Sequence, residues 1–145
     1  MKLIKFIKAF PKAIKAAFVL REVLELQVAG KQKEALTLLD KHKEFFEGRL
    51  YRYHLFRGRI LFVTYDDCKN AIKEFSQGIH LIKSRKFLKP NTREYLLTWT
   101  KDMISRCNLE LGKNDEADHW QKECQKHHFD IDKIPKKIKS LYPMG

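Results

Sequence analysis

Apolar residues recur at steps of three and four along almost the whole chain, the spacing of one face of an α-helix. No stretch of useful length alternates with period two, so the pattern predicts an all-α protein without a sheet. Leu3, Ile7, Phe10, Ile14, Ala17 and Phe18 open the series, with lysines filling another face. Pro11 divides it, because proline suits a helix start and breaks a helix interior. A short helix over about 2–9 and a longer one over about 12–28 are expected, the second running through Val19, Val23, Leu26 and Val28 to a stop at Gly30. Helix two spans about 31–46, with Ala35, Leu38, Leu39, Phe45 and Phe46 inward, and Gly48 ends it. Helix three, about 49–64, carries Leu50, Tyr53, Ile60 and Val63 on one stripe and Tyr51, Leu55 and Phe62 near another. A helix this apolar belongs between neighbours. Asp66 or Asp67 caps helix four (about 67–84, with Ala71, Ile72, Phe75, Ile79 and Ile82 inward), and 85–91 is a loop. Asn91 or Thr92 caps helix five over about 92–111, with Tyr95, Leu96, Trp99, Met103, Ile104, Leu109 and Leu111 on its apolar side. Asn114 opens helix six, to about 127, and a short last helix lies within 134–141 with Pro135 in its first turn.

One phrase returns along the chain. Gly30-Lys31-Gln32-Lys33-Glu34-Ala35 reappears as Gly112-Lys113-Asn114-Asp115-Glu116-Ala117, with a looser form, Tyr65-Asp66-Asp67-Cys68-Lys69-Asn70-Ala71, between them. Each copy separates two amphipathic stretches and therefore predicts the turn of a helical hairpin. The hairpins resemble tetratricopeptide repeats (TPRs). The second helix of such a repeat carries Ala, a large apolar residue four later and a small residue three after that. Ala71, Phe75 and Gly78 match this pattern; Ala35 and Leu39 are followed by His42, and Ala117 and Cys124 enclose Gln121, beside Trp120. Gly58 supplies the only small residue of a first helix, and the alanines stand 36 and 46 residues apart, against about 34 in the family. The resemblance, over roughly 12–128, implies a short α-solenoid of about three antiparallel hairpins whose concave face binds an extended peptide or a helix. The family's peptide-clamping residues do not map onto these positions.

The organisation expected is a single domain over 1–145: a basic amphipathic segment (1–11), TPR-like hairpins (12–128) and a short C-terminal cap (129–145). A generic helical bundle is the alternative architecture. The charge changes the picture more than the length does. With 30 Lys and Arg against 18 Asp and Glu, the net charge is +12, which attracts anionic lipid, nucleic acid or an acidic protein face without specific geometry. Lysines crowd both termini: Lys2, Lys5, Lys8, Lys12 and Lys15 with no acid in the first twenty residues, and Lys133, Lys136, Lys137 and Lys139 near the end. Cys68, Cys107 and Cys124 are widely spaced and odd in number, the usage of free thiols in a reducing compartment. Lysines interrupt the first apolar stretch, which speaks against a secretory signal, and no run reaches the ~18 apolar residues of a spanning helix. A cytoplasmic protein, peripheral at a membrane in one reading, is expected.

Candidate sites follow from charge beside apolar surface. Lys2, Lys5, Phe6, Lys8, Phe10 and Lys12 form a basic amphipathic stretch suited to an anionic membrane surface. The same stripe could equally cap the first hairpin, and a mitochondrial presequence is the weaker third reading. Helix three interleaves Arg49, Arg52, Arg57 and Arg59 with aromatics, which admits nucleic-acid stacking or plain core packing. Arg85, Lys86, Lys89 and Arg93 form a second basic cluster. Tyr51, Tyr53, Arg57, Arg93 and Trp99 combine size, planarity and charge as interface anchors do, and are the expected partner surface. His119, Cys124, His127 and His128 have metal-capable atoms without the four-ligand spacing of a zinc site, so no metal is assigned. There is no Gly-rich phosphate loop, no His-Glu-x-x-His and no nucleophile motif. The expectation is a non-catalytic adaptor or scaffold with an acidic protein or peptide partner, no cofactor and no small-molecule substrate. Nucleic-acid binding, membrane-surface association and an immunity- or antitoxin-like role stay open beside it.

Overall fold

The computed structural model describes residues 11–144. The expected helix over 2–9, and with it Lys2, Lys5, Phe6, Lys8 and Phe10, lies outside the described residues, as does the Lys12 side chain. Among the described residues there are seven α-helices and no strand: α1 (Lys12–Val28), α2 (Gln32–Lys41), α3 (Tyr51–Val63), α4 (Cys68–Ser84), α5 (Pro90–Glu110), α6 (Asn114–Cys124) and α7 (Lys136–Leu141). Two single 3₁₀ turns, Lys43–Phe45 and Ile131–Lys133, lie in the connections. Neighbours in sequence are neighbours in space: α1 packs on α2, α3 on α4, α4 on α5 and α5 on α6.

Three turns pass through the left-handed region. Gly30, Asp66 and Gly112 adopt φ of 77°, 52° and 74°. The next residues, Lys31, Asp67 and Lys113, take φ/ψ of −94°/66°, −91°/72° and −92°/72°. Their N–H groups reach back to the carbonyls of Leu26, Leu61 and Asn108 at 2.8, 2.9 and 2.9 Å, satisfying acceptors that a helix end leaves open. In each turn an alanine follows five residues after the left-handed position, and Ala35, Ala71 and Ala117 are all buried. Asp67 alone adds a side-chain cap, accepting from the Asn70 N–H at 3.3 Å.

The α3–α4 crossing is close because two glycines interlock. A Cβ on Gly58 would stand 2.8 Å from Phe75 Cε1, and one on Gly78 would stand 2.7 Å from Leu55 Cδ2. Each helix thus offers a gap to the other's large side chain, and both Phe75 and Leu55 are fully buried. As the two stripes predict, α3 buries residues around most of its circumference, among them Tyr51, Tyr53, Leu55, Phe56 and Ile60.

Four expectations about the elements need correction. Helix two stops at Lys41, and the chain descends through the 3₁₀ turn so that Phe46 stacks in the core on Tyr53, ring centroids 5.3 Å apart. The fifth helix starts at Pro90 with Lys89 as its cap residue; proline's fixed φ favours the first helical position. Asn91 instead accepts the Asp130 N–H at 3.1 Å, and Thr92 is buried. Pro135 precedes α7 and does not lie within its first turn. Val28, Val63 and Leu109, assigned to apolar stripes, are largely exposed because each sits in the last turn of its helix, beyond the neighbour's cover.

Candidate interaction groove

The C-terminal segment is lodged between α3 and α5. Its backbone is held by three donors: Arg59 Nη1 to the Leu141 carbonyl (3.2 Å), the Tyr95 hydroxyl to the Tyr142 carbonyl (2.6 Å) and Trp99 Nε1 to the Pro143 carbonyl (3.2 Å). The Tyr142 ring stacks on Phe56 and meets Trp99 edge-on. Burial pushes its hydroxyl far above the ordinary tyrosine range, and that hydroxyl has no hydrogen-bond partner among the described residues. Ile134 and Ile138 complete the buried face of the segment.

Beside this segment a groove of about 430 Å³ remains open between α1, α3 and α7. Leu24 and Val28 line it from α1, Ile60 and Val63 from α3, and Ser140 and Leu141 from α7. Val28 is 83% and Val63 68% exposed. Arg59 and Lys137 are its two charged lining residues, and no carboxylate lines it among the described residues.

The five anchors expected from sequence do not form a free surface. Tyr51, Tyr53 and Trp99 are core residues: Trp99 lies under Tyr142 and against Phe75, and Tyr53 packs on Phe46. Tyr51 is covered by the Arg85 guanidinium, 5.7 Å from its ring centroid. Arg57 is occupied by Asp40 (2.8 Å) and Glu74 (3.1 Å), tying α3 to α2 and α4. Arg93 Nη2 donates to the Arg85 carbonyl at 2.6 Å and braces the loop ahead of α5. Arg59, Val28 and Val63 are the groove residues that sequence reasoning assigned elsewhere.

Other polar clusters hold the fold together. The Gly48 N–H donates to His54 Nε2 (3.1 Å), so the ring proton sits on Nδ1 and donates to Glu74 Oε2 (2.8 Å). His42 is buried and stacked on Phe45, and desolvation, with Lys41 adding, lowers its pKa. His127 pairs with Glu94. Burial pushes the Cys107 thiol up to about 12 and the Cys124 thiol to about 11, away from the thiolate form. No group of three or more His, Cys, Asp or Glu converges among the described residues, and none of the described helices is long and apolar enough to cross a membrane. No protein-family model, no curated protein and no solved structure matches the chain.

Proposed function

We propose that this chain is a short TPR-like solenoid of three helical hairpins, acting as a non-catalytic adaptor that holds an acidic protein or peptide segment. The solenoid reading is supported by the three left-handed turns at Gly30, Asp66 and Gly112, each followed five residues later by a buried alanine. It is supported again by the interlocked Gly58 and Gly78. The functional reading is carried by the α1–α3–α7 groove, which exposes Val28 and Val63 and whose charged lining residues, among those described, are Arg59 and Lys137. Such a lining favours a partner segment presenting aliphatic side chains beside carboxylates.

Affinity capture from nuclease-treated extract of the protein's own cells tests this, with wild type and Arg59→Glu/Lys137→Glu as paired baits. A protein retained by wild type and depleted about tenfold or more by the double reversal is the expected result. Equal recovery on both baits sinks the groove. Retention that nuclease abolishes replaces the adaptor with a nucleic-acid binder. An immunity- or antitoxin-like role is the case in which the captured partner is an acidic effector.

A further inference from the structure

The loop between α4 and α5 carries a feature that the groove does not explain. Phe87 at its tip is 94% exposed, the most exposed of the large apolar side chains among the described residues. Its neighbours do not let it tuck in. Arg93 is hydrogen-bonded to the Arg85 carbonyl, the Arg85 guanidinium lies over Tyr51, Leu88 packs on the core, and Pro90 begins α5. Both feet of the loop are pinned while its apex projects. From Phe75 through Arg93 there is no acidic residue, and Lys83, Lys86 and Lys89 are exposed and take part in none of the ion pairs among the described residues.

The adjoining 42–50 connection is charge-balanced, Lys43 and Arg49 against the exposed Glu44 and Glu47, so the basic patch is the 83–93 stretch itself. Lys15 lies over the Phe45 ring, which puts the start of α1 beside the 42–50 connection. Arg85 over Tyr51 puts the Phe87 loop beside the start of α3, where Arg49 is exposed. Pro11, where α1 begins, therefore lies at the end that carries Phe87.

We propose that this end of the molecule docks on an anionic bilayer, with Phe87 entering the interface and Lys86 and Lys89 meeting phosphatidylserine headgroups. A projecting ring with cations beside it suits a soft, flat, negative surface, where apolar insertion and Coulomb attraction add. A single-stranded nucleic acid is served by a track of successive aromatic platforms along a groove, and this loop offers one ring with no second wall. An acidic peptide would need a concavity to cover Phe87, and at 94% exposure none surrounds it.

The test is sedimentation of the full chain with vesicles of phosphatidylcholine containing about one-third phosphatidylserine, in parallel with pure phosphatidylcholine vesicles and a labelled single-stranded oligonucleotide. Binding to the anionic vesicles alone is expected. Phe87→Ser should lower the partition coefficient about tenfold, and Lys86→Ala/Lys89→Ala by a similar or larger factor that shrinks as salt rises. Phe87→Trp should be quenched by brominated lipid beyond the signal of the native Trp99 and Trp120. All three changes lie on an exposed loop, and unchanged far-UV circular dichroism verifies the fold. Equal partitioning of Phe87→Ser and wild type, an unquenched Trp at 87, or no vesicle binding overturns the proposal. Oligonucleotide binding that Phe87→Ser weakens would transfer the site to nucleic acid.

Discussion

At one end of the helices, residues 29–31, 64–67 and 111–113 reverse the chain through a left-handed residue and a following N–H that reaches back five residues at Lys31 and Lys113 and six at Asp67. At the other end the connections 42–50, 85–89 and 125–135 have different lengths, and each carries phenylalanine with a different fate. Phe46 is fully buried, Phe87 is bare, and Phe129 is half-buried with its ring edge on Tyr95. The difference lies in what specifies each end. A left-handed residue and two backbone hydrogen bonds make a turn out of a few consecutive residues. The other connections are specified by tertiary contacts, and so they differ in length and in the surface they present. Both the lodged C-terminal segment and the proposed membrane patch arise from the divergent end.

The largest effect should come from the divergent end's tail. Tyr142→Ala removes a fully buried ring wedged between Phe56 and Trp99 and should cost about 3–5 kcal/mol. That corresponds to a fall in Tm on the order of 10 °C, read by thermal and urea unfolding. Tyr142→Phe is the control: it deletes a buried hydroxyl that lacks a partner and should be neutral or stabilising by about 1 kcal/mol. If Tyr142→Ala costs less than about 1 kcal/mol, the tail is an appendage and the groove loses a wall.

A smaller effect is expected at the repeating end. Gly112 has φ 74°, and a Cβ there would meet nothing within 4 Å. Gly112→Ala therefore carries only the conformational cost of placing an L-residue in the left-handed region, about 1–2 kcal/mol. Gly30→Ala, equally unobstructed at φ 77°, should cost the same within error in urea denaturation. Unequal costs would mean the turns match in backbone angle alone.

This contrast also decides what was legible in the sequence. Gly30, Gly112 and Asp67 announced their turns because the chemistry is local. The end of helix two was not legible, since it depends on Phe46 finding Tyr53. The burial of Trp99 and Tyr51 was hidden for the same reason: both have the composition of anchors, but one is covered by a tail 43 residues further on and the other by Arg85. The bond from Arg59 to the Leu141 carbonyl spans 82 residues, and no periodicity encodes it. Val28 and Val63 obey the helical spacing and yet face solvent, because the spacing says which face they share and not where the neighbouring helix ends.

In the middle turn Asp66 holds φ 52° in the place that glycine takes in the other two. Aspartate tolerates that region better than most residues but still carries some of the ~1–2 kcal/mol penalty of a Cβ there. Asp66→Gly relieves it, while giving the unfolded chain extra freedom worth up to about 1 kcal/mol. The substitution also removes a weak thiol contact, Cys68 Sγ to Asp66 Oδ1 at 3.8 Å. The Asp67 cap on the Asn70 N–H is untouched. The net expected change is a stabilisation of about half a kcal/mol in urea unfolding. A loss of more than about 1 kcal/mol would show that Asp66 holds the start of α4 through Cys68, making the middle turn different in kind from its two neighbours.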